Sequence, residues 1–148
     1  MSRGVNAVAN GKQLTDRVVE YARSVGLLAR IEVACGRRLW GAQRFIDVVL
    51  STRNGDIPLG IECKWQAQQG SAEEKLFGTL QDIDTWRFPG LLVYDGPGFS
   101  RGLDRFLSKH PRAIRIAELP KRIDEHFGVG VRPIRLYADD NVSEMDLF

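Results

Sequence analysis

The chain has 148 residues, 43% of them hydrophobic and 27% charged, with a net charge of +2. That size and balance fit one globular domain with its own core, and so mild a positive charge does not by itself point to nucleic acid. No apolar run approaches the roughly 18 residues that cross a membrane, and Met1 to Gly11 lacks the apolar stretch of a secretory signal, which predicts a cytoplasmic protein.

Asn10 is placed to cap a helix that begins near Lys12, and Leu14, Val18, Tyr21, Ala22 and Val25 recur on one face of it. Gly26 ends that helix. Strands are predicted over Leu28 to Cys35, Arg44 to Thr52 and Leu59 to Trp65, the second rich in β-branched residues. A helix follows over Glu73 to Trp86, with Leu76, Phe77, Leu80 and Ile83 inward, and Pro89–Gly90 stops it. Leu91 to Tyr94 is wholly apolar and reads as a strand buried on both faces. Then come a helix over Ser100 to Lys109 with Leu103, Phe106 and Leu107 inward, a strand over Ala113 to Ala117, and a short helix over Pro120 to Phe127. Ile134 to Tyr137 reads as an edge strand. The order predicts an α/β domain over residues 1–138, an antiparallel hairpin feeding a mixed sheet flanked by helices, with an acidic tail over 139–148. Cys35 and Cys63 form no CxxC or Cys/His cluster, so both are expected to be reduced and free of zinc.

Asn54–Gly55 is the favoured pair for a two-residue hairpin loop. With that loop, paired residue numbers sum to about 109, which sets Asp47 opposite Glu62. Side chains alternate along a strand, so Glu62 and Lys64 share a face and Asp47 joins them across the ladder. Two carboxylates so close repel one another. A divalent cation removes the conflict, because two carboxylates, a backbone carbonyl and several waters suit Mg²⁺, with Mn²⁺ also compatible. Lys64 beside them can polarise a metal-bound water near a phosphate. Without the metal, the same residues are an ordinary surface hairpin with a Glu62–Lys64 pair.

Ile46-Asp47, fourteen residues, then Glu62-Cys63-Lys64 resembles the signature of the PD-(D/E)XK nuclease superfamily. The order of elements from Leu14 to Ala117 fits its restriction-endonuclease-like core, and Ile46 stands where the family name has proline. The resemblance implies a Mg²⁺-dependent DNA endonuclease. Asp47 and Glu62 would be metal ligands, the carbonyl of Cys63 a third, and Lys64 would position the attacking water. Many members add a glutamate from the first helix, for which Glu20 is the candidate. Gln66 continues the Glu62 and Lys64 face toward water or a phosphate. Trp65, Gln68, Gln69 and Ser71 lie just past the site on a polar loop, where they could meet DNA, and Arg37, Arg38 and Arg44 flank the hairpin as phosphate partners.

The chain closes on Glu-Met-Asp-Leu-Phe, Glu144 to Phe148. This resembles the short peptide by which bacterial replication and repair proteins bind the DNA sliding clamp, with Glu144 in place of its glutamine and Met145, Leu147 and Phe148 as apolar anchors. The expected function is thus phosphodiester hydrolysis in DNA repair, recombination or restriction, by a homodimer able to cut both strands. A Holliday-junction resolvase or structure-specific nuclease is the near alternative, and a non-catalytic DNA-binding or clamp-associated module the distant one.

Overall fold

The structure, a computed structural model, describes residues 10–68 and 73–136. Helix α1, Gly11–Ser24, is capped by the Asn10 side chain, which accepts from the Gln13 amide at 2.9 Å. It ends where Gly26 turns left-handed (φ +89°) and the Gly26 and Leu27 amides reach back to Arg23 and Ala22. Strands β1, Leu28–Arg37, β2, Gln43–Ser51, and β3, Leu59–Trp65, form an antiparallel meander. Helix α2, Glu73–Ile83, leads to β4, Gly90–Asp95, and α3, Arg101–Lys109, leads to β5, Ala113–Arg115; both strands run parallel to β3. After β5, a 3-10 turn, Ile116–Glu118, passes directly into α4, Leu119–Phe127. The five strands lie in chain order across one mixed sheet.

Helices cover both faces, which accounts for β4 being buried from Gly90 to Tyr94. On the first face, Leu14, Val18, Tyr21 and Ala22 of α1 and Ile123 of α4 meet Val48, Leu50, Leu59, Ile61, Leu91 and Val93. On the second, Leu76, Leu80 and Ile83 of α2 and Leu103 and Leu107 of α3 meet Ile46, Leu92 and Tyr94. Phe77 and Phe106, expected inward, are instead about half exposed and pack edge-on against each other, with ring centroids 5.2 Å apart.

Several boundaries depart from the sequence reading, and α2, expected to run to Trp86, ends at Ile83. Asn54–Gly55 does not close a two-residue turn: pairing ends at Leu50 and Leu59, and the Thr52 hydroxyl instead meets both the amide and the carboxylate of Asp56. The register of the hairpin is nonetheless the expected one, because Val48 pairs Ile61 and Val49 pairs Gly60. Strand β5 stops at Arg115, where the chain tightens into the 3-10 turn. Residues 134–136 are not a strand; Ile134 and Leu136 pack as irregular chain against the first core.

The largest buried polar feature joins the second face to the β1–β2 hairpin. Asp82 of α2 is 1% exposed. It receives Arg44 Nε and Nη2, each at 2.8 Å, and Trp86 Nε1 at 3.2 Å. Arg44 also donates to the carbonyls of Cys35 and Arg37, at 2.9 and 2.7 Å, flanking a bulge at which Gly36 adopts φ +68°. Burial alone would raise the Asp82 carboxyl, but these donors outweigh it and hold the group below its usual range. Arg44 was a candidate phosphate contact; it is 5% exposed and its donors are committed here, so it tethers the hairpin and does not face solvent. Arg44→Leu strands a buried charge and is expected to lower stability by about 3–5 kcal/mol in urea unfolding, while the Arg44→Leu/Asp82→Leu double variant recovers part of that loss. Equal losses in both variants would show that the hairpin carbonyls, not Asp82, are the partners that matter.

Candidate metal and phosphate site

The antiparallel ladder between β2 and β3 ends at Val48 and Ile61. One step further, the two strands separate and carboxylates replace backbone partners. The Asp47 amide donates to Glu62 Oε1 at 3.0 Å, and the Cys63 amide donates to Asp47 Oδ2 at 2.8 Å. Each acid thus spends one oxygen bracing the opposite strand.

The separation has a local cause. Ile46 and Val48 are two apart and both fully buried, yet they belong to different cores, so β2 changes faces at Asp47. Strand β1 does the same. Ala29 packs on the first core and Cys35 on the second, and between them Glu32 takes φ +49°, a left-handed conformation rare for a non-glycine residue. Glu32 and Asp47 lie between the pairs Ile31–Val48 and Val33–Ile46, so both strands kink at the same rung. Asp47 is thereby turned toward α1. It lines a cleft of about 460 Å³ with Cys63, Glu32 and the first turns of that helix, Lys12, Thr15 and Asp16.

Glu62 and Lys64 share a face, as expected, alternating with Ile61, Cys63 and Trp65, which pack on the first core. They align with Leu92 and Tyr94 of β4. Asp47 approaches Glu62 around the splayed end of the ladder and not from one flat face, because of the kink. Lys64 is half-buried and has no hydrogen bond or ion pair with the described residues.

The electrostatics are those of an undercompensated acidic pair. Burial, and then the neighbouring Asp47 charge, push the Glu62 carboxyl up to about 7, against the pull of the Asp47 amide and Arg38. Burial likewise raises Asp47, with Glu32 adding to it and the Cys63 amide and Arg38 opposing. Arg38 is the cation that both acids feel. Burial also raises the Cys63 thiol, so its sulfur stays protonated and makes a poor metal ligand; any contribution from Cys63 would come through its carbonyl. Among the described residues, no group of three His, Cys, Asp or Glu side chains could hold a metal alone. Two acids with one oxygen each left over suit a hard cation that keeps several waters.

The remaining sequence candidates divide. Glu20 does not line the Asp47 cleft: its carboxylate is held by Arg135 at 2.6 Å and lies 3.7 Å from Arg17. Asp16, one helical turn earlier, is the acid of α1 that reaches the cleft, paired there with Lys12 at 3.2 Å. Gln66 does not continue the Glu62 face, because the strand ends before it. It is 6% exposed, and its side chain donates to the Gly98 carbonyl at 3.0 Å. Trp65 packs against the first core and is not an open DNA contact. Gln68 is exposed, while Gln69 and Ser71, like Met145, Leu147 and Phe148, lie outside the described residues. Arg37 is exposed and braces the hairpin turn through the Gly41 carbonyl, and Arg38 lies 3.7 Å from Asp82.

Beyond Lys64 the chain is seated on the turn after β4. A Cβ on Gly98 would come within 2.4 Å of the Gln68 backbone nitrogen, and one on Gly96 within 2.3 Å of the Gln66 carbonyl. Backbone cannot yield as a flexible side chain can. Gly98→Ala is therefore expected to cost about 1–3 kcal/mol and to shift the segment leaving the site. Unchanged urea unfolding would show that the turn is not held against Gln68.

A search of curated proteins found no match. A crystal structure of a protein of unknown function, AF1548, is similar over 68% of this chain and 54% of that one, at 16% identity and a TM-score of 0.47, so this chain spans about half of that chain's length. The arrangement built here, an acid at the end of one strand and Glu-x-Lys on the next within a mixed, helix-covered sheet, agrees with what the family comparison found: residues 2–128 match the PD-(D/E)XK nuclease superfamily domain, and the chain belongs to that superfamily.

Proposed function

We propose that the protein is a Mg²⁺-dependent DNA endonuclease whose site is Asp47, Glu62 and Lys64. The observation that carries this reading is the acidic pair. Two carboxylates are held at a splayed strand end with raised affinity for protons, beside a lysine that no described residue engages. Asp47 and Glu62, with the Cys63 carbonyl, would hold the cation, and Mn²⁺ fits the same oxygens. When bound, the metal would supply Lewis-acid polarisation of a phosphoryl oxygen and a more acidic water. The chain's own contributions are distinct. The Cys63 and Asp47 amides fix the two carboxylates, and the Lys64 ammonium, two residues along the strand from Glu62, would meet negative charge developing on a phosphate. Asp16 and Lys12 bound the far side of the cleft.

A two-fold pair of chains would place one site on each strand of a duplex. The Glu144–Phe148 ending would let a sliding clamp recruit the enzyme to repair or recombination, and its deletion should abolish clamp binding while leaving the fold intact. The deciding experiment incubates the protein with supercoiled, linear, branched and single-stranded DNA, in Mg²⁺ or in chelator. Metal-dependent cleavage of at least one substrate is expected. Its absence on all of them sinks the enzymatic reading in favour of a DNA-binding module.

A further inference from the structure

The tip of the β1–β2 hairpin presents large apolar residues where a turn ordinarily carries polar ones. The Gly41 amide reaches the Arg38 carbonyl at 2.8 Å, closing a turn whose two central residues are Leu39 and Trp40. Such positions favour Gly, Pro, Asn, Asp or Ser. Here Leu39 is 58% exposed and Trp40 65%. Further along β2 and two residues from Asp47, Phe45 is 49% exposed, a third large apolar side chain open between the tip and Asp47.

The tip is held rigidly. The Arg38 amide bonds the Ala42 carbonyl at 2.7 Å, and Arg37 Nη1 bonds the Gly41 carbonyl at 2.9 Å. Arg44, itself locked to Asp82, secures the Cys35 and Arg37 carbonyls at the base. The Arg38 guanidinium lies 5.6 Å from the centre of the Trp40 ring and 3.7 Å from Asp82. An exposed indole beside two arginines, on a stiff arm that starts at the acidic pair, is the combination that receives a nucleobase and its phosphate. A second copy of the chain fits this surface less well, because a two-fold contact through the tip would set Arg37 and Arg38 against their own copies.

We propose that Trp40, with Leu39, Arg37 and Arg38, stacks on an unpaired base a few nucleotides along the strand from the phosphate held at Asp47, Glu62 and Lys64, so that the preferred substrates are DNA with unpaired nucleotides, such as forks, flaps or single strands. This rests on the nuclease reading for its location but is tested without catalysis. Fluorescein-labelled single-stranded, forked and fully paired oligonucleotides are titrated with the full chain in chelator, as wild type, Trp40→Ala and Trp40→Phe. Trp40→Ala is expected to weaken binding of single-stranded and forked DNA by about 5- to 100-fold, the worth of one stacked base, with Trp40→Phe retaining most of it and paired DNA little affected.

A second readout is intrinsic fluorescence. Of the described tryptophans, Trp86 is 8% exposed and Trp65 packs on the core, so quenching by single-stranded DNA should vanish in Trp40→Phe. The inference is overturned if wild type does not favour unpaired DNA, if Trp40→Ala weakens all DNA equally, or if its effect is to dissociate a dimer in sedimentation. Failure of the nuclease reading looks different: no cleavage with metal, while selective binding through Trp40 persists.

Discussion

Asp47→Asn and Lys64→Ala are each expected to reduce metal-dependent DNA cleavage by at least about 10²–10³-fold, the scale on which a single preorganised charge contributes to a transition state. The two should differ from a folding defect in a specific way. Asn at 47 keeps an oxygen to accept the Cys63 amide, now at 2.8 Å from Asp47 Oδ2, while removing a negative charge that burial and Glu32 disfavour. Thermal stability in chelator should therefore be unchanged or higher. Lys64 has no partner among the described residues, so its truncation should also leave the melting transition nearly where it was. Loss of activity without loss of stability separates a catalytic site from a structural one. Cleavage that survives in both variants would mean the chemistry lies elsewhere, with Asp16 and Glu32 of the same cleft the next residues to replace.

What the sequence made legible was what local pattern and ladder arithmetic determine. The α1 stripe of Leu14, Val18, Tyr21 and Ala22, the buried run from Leu91 to Tyr94 and the register that brings Asp47 level with Glu62 all follow from periodicity and pairing. Register held even though the predicted turn did not, because the two longer ends still add up to the same pairing. What it hid were tertiary choices. Asp16 and Glu20 are one turn apart on α1 and both carry carboxylates. Only the docking of the helix on β2 and β3 decides which reaches the cleft, and Arg135, 115 residues from Glu20, claims the other. Arg44 reads as a surface cation until Asp82, 38 residues away, is seen beneath it. The left-handed Glu32 has no signal of its own, yet it lies at the rung where both strands change faces and Asp47 turns into the cleft. Long-range pairings of this kind are also why Gln66, polar and two residues past Lys64, proved to be a buried anchor for the Gly98 turn.

Glu62 makes the strongest prediction about pH. Its folded-state carboxyl is pushed up to about 7 from an ordinary 4.5, so the folded protein holds that proton more tightly than the unfolded chain does. The stability contributed is fully present below the unfolded value and is lost as pH rises through the folded one. Across that window it amounts to roughly 3 kcal/mol at most, and the upward shift of Asp47 acts in the same direction. In chelator, the melting temperature should fall between about pH 5 and pH 8, and Glu62→Gln should flatten that slope and be the more stable protein at the alkaline end. A cation that binds the pair competes with the proton. Stabilisation by a fixed Mg²⁺ concentration should accordingly be small near pH 5 and grow toward pH 8, approaching about 2.7 kcal/mol when the metal is 100-fold above its dissociation constant. Glu62→Gln should lose this response together with cleavage. If wild type and Glu62→Gln show the same pH profile, or if Mg²⁺ stabilises both equally, the acidic pair is not where the metal and the proton meet. A protein that gains stability and loses activity through one neutral substitution would instead show that the strain of holding two buried carboxylates together is retained for the metal.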